Sequence, residues 1–525
     1  MNVIMNKSTF SLLFALEVSL SVSAQQLVDI PQPCRMHETP VEIGPVPQAR
    51  ATHERKYIIP VVFHVFGTNF NGKTVTRALV EDALRRTNED FNALTTGSLC
   101  SGDDDPQFDK LSTPLNIEFR LAEIGPSDEP TTGVVFHRLE SGFGVYNPPR
   151  MQRYAWDNKR YMNVYIMNDL YGDGVTDNSG VSWYPNWDMT RFKLARVVYN
   201  GAYLGNNTDE NFRRVLTHEF GHFLNLAHTF DYDDAVFSDG CGKGKNGEEN
   251  PGDYVDDTPP ADRPQMGPED VNCLGQKTNW TNYMNYSYVR TSMFTRGQVD
   301  RMTTALQDKS RSCLWSDDNL HKVFLPDKSV CRLVLDSKQE LFPSDDRGDY
   351  NTDYVFTVIN GQTKNGTLVL DTDYTIDGLP DGLAATAVGD GSVIRLNIQG
   401  KVTLGDSKKF FVSFLPSSCL STSFYQGRQP LTLAADYDAS EVVPTAIARP
   451  MEQSSEMAVH CNKYGQLSVK APRGSLVVVR SVTGEALLAF HSSGTVTTLS
   501  LSGYGHGLYF VSVNGEGGKT WKIMW

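Results

Sequence analysis

After the first 24 positions, no apolar run approaches the roughly 20 residues that a helix needs to cross a bilayer, and no block of Lys and Arg or Gly-rich phosphate loop stands out in the 525 residues. Positive charge is in deficit, with 48 Lys and Arg against 62 Asp and Glu and a net charge of −14. That balance argues against nucleic acid or anionic lipid as a partner. Cysteine is sparse: Cys34, Cys100, Cys241, Cys273, Cys313, Cys331, Cys419 and Cys461. An even count permits complete pairing without showing it. What remains is globular in composition, 40% hydrophobic and 21% charged. The length exceeds one ordinary core and predicts about three domains.

Residues 1–24 read as a secretory signal. Lys7 gives weak positive charge, 11–22 is largely apolar, and Val22-Ser23-Ala24 offers small residues for cleavage. Export makes disulfides permissible. Residues 25–55 are Pro-rich and weakly periodic, as expected of a prosegment.

The most informative stretch is His218-Glu219-Phe220-Gly221-His222-Phe223-Leu224-Asn225-Leu226-Ala227-His228. Residues four apart share a helix face, so His218 and His222 can point two imidazoles at one metal. Glu219 stands about 100° round the helix, where a base can take a proton from a metal-held water. His228 can join only if the chain turns after Leu224, and Asn225 tolerates the left-handed conformation that ends a helix. Three histidines leave one tetrahedral position open, the mark of a catalytic zinc site.

The string resembles the metzincin signature HExxHxxGxxH, with Asn225 in place of Gly. Asn282-Tyr283-Met284-Asn285-Tyr286 is similar to the metzincin Met-turn, which implies Met284 as the floor of the site and Tyr286 beside the substrate. Thr295 and Gln298 form a capping box for a helix with Val299, Met302 and Leu306 on its apolar stripe. Together with Ile59 to Phe66, Gly180 to Pro185 and Gly252 to Pro259, these pieces resemble the pappalysin family of metzincin endopeptidases, over roughly 56–315. The resemblance implies a zinc protease cut by a horizontal cleft, with calcium in the lower lobe at Asp253, Asp257 and Thr258. An acidic loop from Asp231 to Asp257 suits calcium, whose ligands are hard oxygens. The resemblance also implies a Cys241–Cys273 disulfide beside the site.

Cys34 leaves two readings open. As a thiolate it is a good zinc ligand, and a short prosegment could set it in the open coordination position until removal after Arg50 or Arg55. Alternatively it forms an ordinary disulfide. Pappalysin relatives often cut before basic residues through an acidic group beyond the Met-turn. The corresponding segment here, Ser287 to Met293, carries Arg290 and no carboxylate, so that preference is not carried over.

The pattern predicts an α+β metzincin catalytic domain, with a twisted sheet, a backing helix and an active-site helix, followed by all-β sandwich-like domains. Strands are expected at 58–66, 115–122 and 164–167, a backing helix over 75–94, and the zinc helix over 209–226, with Asp209 and Glu210 at its start and Phe212, Val215, Leu216 and Phe223 burying it. From about residue 320 helical periodicity disappears, and short strands are expected at 322–325, 368–371, 393–398 and 410–414. Strands at 466–469, 476–482, 485–490, 495–501, 507–513 and 520–524 form a last unit. Its Val477 to Gly484, Leu501-Ser502-Gly503 and Gly507 to Val511 resemble the C-terminal sorting domain of type IX secretion. The expected division is 1–24 signal, 25–55 prosegment, 56–318 catalytic, 319–450 sandwich and 451–525 sorting domain.

The expectation is a secreted, zymogen-type zinc endopeptidase acting on proteins or peptides. The sorting domain implies the outer-membrane secretion machinery as a partner, and release or surface attachment after translocation. The rival reading is a surface adhesin or substrate-capture protein with an incidental zinc fold.

Overall fold

The computed structural model describes residues 55–435, apart from 95–105, 110, 146, 231–252, 262–266, 273–274, 287–290 and 345–347, together with the strand segments between 458 and 524. The signal, the prosegment with Cys34, the acidic residues 231–249, and Cys241 and Cys273 lie outside the described residues. So does the Arg50 cleavage position. Among the described residues no helix is long and apolar enough to cross a membrane.

The chain enters through β1 (Tyr57–Phe66), whose ten residues are almost all buried. β2 (Ile117–Leu121) and β3 (Val134–His137) pair successively with its two halves on one side, and β4 (Met162–Met167) pairs on the other. β6 (Val197–Asn200) continues the parallel set, and β5 (Gly180–Ser182) closes the edge antiparallel to it. Buried on both faces, β1 reads as a near-continuous apolar run. Pro60 can interrupt it because β4 begins pairing only at Val61.

The backing helix runs Arg77–Phe91, capped by the Thr76 hydroxyl, which accepts from the Leu79 N–H. It buries Val80, Ala83, Leu84 and Phe91. Asn88 clamps it to β2, donating to the Phe119 carbonyl and accepting from the Phe119 N–H. Buried Asp90 reaches across to accept from the Thr217 hydroxyl at 2.7 Å. One carboxylate thus ties the backing helix to the helix that follows β6.

The zinc helix is shorter than its pattern suggests. It spans Val215–Phe223, entered by a tight turn at Phe212–Arg214. Asp209 caps that lead-in, accepting from the N–H groups of Asn211 and Phe212. Phe212 is therefore 37% exposed and does not bury the helix. Leu216, Phe220 and Phe223 do, within one core that includes Phe91, Phe119 and Met284. The expected strand at 322–325 is instead the end of a helix, Asp317–Val323. Ser316 caps it, Asp317 and Asp318 sit in its first turn and His321 and Lys322 in its last, the charge order that a helix dipole favours. It packs on β1.

Nine strands follow. One sheet is β10 (Gly366–Leu368), β12 (Leu383–Gly389), β13 (Val393–Lys401), β9 (Asp349–Ile359) and β7 (Arg332–Leu335), in that order. The other is β11 (Tyr374–Asp377), β14 (Lys408–Phe414), β15 (Gln429–Leu433) and β8 (Glu340–Leu341). Tyr354, Phe356, Ile394 and Leu396 from the first meet Phe410, Val412, Phe414 and Leu431 from the second in one core. Cys331 and Cys419 are free, buried thiols within it, and Cys313 is free and half-buried.

The sandwich docks on the β3 side of the N-terminal sheet through a buried polar chain. His64 Nε2 lies 3.1 Å from Asn163 Oδ1, His64 Nδ1 lies 3.0 Å from His137 Nε2, and His137 Nδ1 lies 3.1 Å from Glu340 Oε1. The Asn163 oxygen can only accept, so His64 carries its hydrogen on Nε2 and accepts from His137 through Nδ1. Burial, then His137, hold the His64 pKa well below its ordinary value. Tyr425 also donates to the Asp128 carbonyl.

The C-terminal unit is separate. It contains a sheet of β16 (Ala458–Cys461), β17 (Gln466–Lys470) and β20 (Val496–Ser500), and a sheet of β19 (Ala486–His491), β18 (Leu476–Ser481), β21 (Leu508–Asn514) and β22 (Lys519–Met524). Leu467, Val469, Val477, Val479, Val511 and Val513 form its core.

Candidate metal centre

The zinc helix brings His218 and His222 to one face, one turn apart. Asn225 then takes φ of 75°, the left-handed conformation expected of it. The reversal returns His228 to the same point. The three Nε2 atoms form a triangle with edges of 3.0, 3.0 and 3.1 Å. Nitrogens bound tetrahedrally to one zinc stand roughly 3.3 Å apart, so a small relaxation accommodates the ion. Among the described residues these three are the group of metal-ligating side chains that converges.

The rings are also oriented for ligation. His218 Nδ1 lies 2.8 Å from the Tyr283 carbonyl, and His222 Nδ1 lies 2.7 Å from the Leu226 carbonyl. A carbonyl only accepts, so both hydrogens sit on Nδ1 and each Nε2 presents its lone pair to the point where the three rings converge. Burial, and next the neighbouring His228, push the His218 pKa down to about 3, so the ring is neutral, as a ligand must be. Phe230 stacks on His228 at 4.7 Å, and Tyr184 meets His222 edge-on at 5.6 Å.

Glu219 is 3% exposed, and burial raises its pKa well above the usual carboxylate range. Its Oε2 has no hydrogen-bond partner among the described residues. An orphaned buried oxygen is costly, and it is the group a base beside a metal keeps free. Gly180 on edge strand β5 makes the space: a Cβ there would lie 2.6 Å from Glu219 Oε1.

Met284 is fully buried directly under the helix. A Cβ on Gly221 would come 2.6 Å from its sulfur, so the glycine admits the turn. Tyr286 is 45% exposed, and its hydroxyl stands 3.2 Å from His228 Nε2. The roles of Gly180 and Gly221 escape sequence reasoning because each depends on a neighbour distant in sequence.

Asp253, Asp257 and Thr258, the residues of the expected calcium ligation, are engaged by donors of the protein itself. Asp253 accepts from the Val255 N–H, the Thr258 hydroxyl and Gln298 Nε2. Asp257 accepts from the Thr295 hydroxyl at 2.6 Å and the Gly297 N–H at 2.9 Å. Each carboxylate thus accepts from at least one donor at the start of the helix Arg296–Gln307, whose Thr295–Gln298 capping box forms as expected. Gln298 passes the connection to Asn282, which accepts the Met284 N–H at 2.9 Å. Burial pushes the Asp253 pKa up to about 7.

Residues 146–307 match the family described as pregnancy-associated plasma protein-A, a metallopeptidase family. An extracellular metalloprotease of Arthroderma otae is 36% identical over 154 residues, covering 28% of this chain and 51% of that protein. One from Neurospora crassa is 30% identical over 207 residues, 37% of this chain and 62% of that protein. The chain thus spans about half the length of the curated relatives it matches. Among solved structures, mature mirolysin of Tannerella forsythia in complex with a cleaved peptide is 23% identical, with a TM-score of 0.42, covering 52% of this chain and 99% of that one. The family and relative matches support a pappalysin-like metalloprotease.

Proposed function

We propose that the chain is a secreted zinc endopeptidase that cleaves proteins or peptides and is made as a zymogen. The observation that supports this reading is the convergence of three imidazoles, two of them oriented by backbone carbonyls, beside a buried carboxylate oxygen with no hydrogen-bond partner among the described residues. The donor set, three nitrogens and no thiolate, suits zinc. When bound, zinc supplies Lewis acidity that polarises the scissile carbonyl and acidifies a water. His218, His222 and His228 hold it. Glu219 takes a proton at Oε2 and hands it to the leaving amine. Tyr286 directs its hydroxyl toward the oxygen that gains charge.

Secretion accords with relatives named as extracellular metalloproteases. Passage through an outer membrane rests on the C-terminal pattern, and Cys34 is kept both as a latency switch and as a disulfide partner. For Asp253 and Asp257 the bonding supports a part in holding the start of the helix Arg296–Gln307, and calcium ligation rests on the sequence resemblance alone. The adhesin reading is not favoured, because a scaffold without catalysis need not leave a buried carboxylate unpaired.

Glu219→Gln tests the reading. It is isosteric and keeps all three ligands, so zinc content by mass spectrometry should stay at one per chain while peptide cleavage falls about 10³-fold. Full activity in the variant refutes the assigned base.

A further inference from the structure

Cys331 and Cys419 reach the core of the sandwich from different sheets. Cys331 immediately precedes β7 of the first sheet, and Cys419 follows β14 of the second by a short turn. Both are buried in the core that the two sheets share. The two free thiols lie within hydrogen-bonding reach of each other. Backbone bonds fix both positions. The Cys331 N–H donates to the Ser423 carbonyl at 3.1 Å, and its carbonyl accepts from the Tyr425 N–H at 2.8 Å. On either side of Cys419, the Lys364 N–H donates to the Ser418 carbonyl and the Leu420 N–H to the Gln362 carbonyl, both at 2.8 Å.

The segment beside them is shaped to sulfur. A Cβ on Gly361 would stand 2.4 Å from Cys331 Sγ, so the glycine leaves the room that the thiol fills. A single buried thiol is an ordinary small apolar residue. Two thiols brought together by separately anchored segments are a preformed pair, and an exported chain folds where disulfides persist. Cys313 shows the contrast, since its half-buried thiol donates to the Lys309 carbonyl of the preceding turn.

We propose that Cys331 and Cys419 are oxidised to a disulfide that joins the two sheets of the sandwich. The oxidant is a disulfide-bearing thiol oxidant met on export, so the proposal rests on the secretion reading. One cysteine thiolate attacks the oxidant's disulfide, forms a mixed disulfide and expels one thiolate. The other cysteine thiolate attacks the chain's sulfur in that mixed bond and expels the second. Two electrons pass to the oxidant, which ends as two thiols, and the two cysteine protons balance its charge. Exchange needs thiolates, and burial raises both thiols in the folded sandwich, Cys419 to about 12. The bond therefore closes while the sandwich is still folding. It encloses β7 to β14, including β8, whose Glu340 faces His137.

The test alkylates the exported full chain under denaturing, non-reducing conditions and maps its peptides by mass spectrometry. A Cys331 peptide joined to a Cys419 peptide is expected, and reduction should split it. The closed loop is roughly 90 residues long, so the double variant Cys331→Ala, Cys419→Ala should melt about 5–15 °C below wild type. If the double variant fails to fold, the peptide map decides alone. Alkylation of both cysteines in the exported chain, a bond from either to another cysteine, or a double variant with the wild-type Tm overturns the proposal and leaves secretion standing. If the chain is not exported, the secretion reading fails, and refolding the full chain against glutathione disulfide decides the pair by the same map.

Discussion

Gly221→Ala sets two known effects against each other inside the zinc helix. In a helix interior the change gains about 1 kcal/mol, because Ala has less backbone freedom to lose. Here the new methyl would meet Met284 Sδ at 2.6 Å, well inside contact distance. Met284 is fully buried and part of the main core, so its thioether has no free volume to enter. Overpacking of this kind costs about 1–3 kcal/mol. The clash should win by about 1 kcal/mol, and relief must come from the turn moving away from the helix. That movement pulls the adjacent Tyr283 carbonyl from His218, so zinc affinity should fall along with stability. Denaturant unfolding with and without zinc, plus zinc stoichiometry after dialysis, measures both. Met284→Ala in the same background removes the sulfur, and the pair should be strongly non-additive. The reasoning fails if Gly221→Ala is as stable as wild type with full zinc, or if its penalty persists without Met284.

Two further outcomes follow from groups outside the metal site. Glu129 is 2% exposed, and burial raises its pKa to about 7. A raised folded pKa favours the protonated native state, so its stability contribution is full below about pH 4.5 and is lost as pH rises through 7. Glu129→Gln should match wild type near pH 4.5 and exceed it by up to about 3 kcal/mol above pH 7; parallel pH profiles of unfolding free energy would refute this. Asp257→Ala removes the acceptor for Thr295 and Gly297 and should cost about 1 kcal/mol. A calcium chelator should leave the Tm of wild type unchanged, and a Tm drop on chelation would return calcium to this region.

The site was most legible where it rests on local rules. The i, i+4 spacing of His218 and His222, the positive φ of Asn225 and the Thr295–Gln298 box are all decided within a few residues of chain. Six of the seven C-terminal strands were legible for the same reason, since alternation and Gly turns mark them; Ala458–Cys461 was not among those expected. Where distant partners decide, the reading failed. Phe212 looks apolar on a helical wheel, yet the Asp209 cap starts a tight turn there and leaves the ring exposed. The 322–325 segment has β-branched and aromatic residues, but the Ser316 cap and the charge order of the turns before it select a helix. The bonds of Asp253 and Asp257 to Gln298, Thr295 and Gly297, some forty residues on, were likewise beyond a local pattern.

The chain from Asn163 through His64 and His137 to Glu340 has a consequence for where a shortened chain can end. A fragment stopped after the helix Asp317–Val323 would retain His218, Glu219, His222 and His228 yet lose the acid that His137 faces. Its inner sheet would then hold an imidazole pair opened to water on the side the sandwich now seals. The sandwich therefore belongs with the sheet whose buried imidazoles it seals.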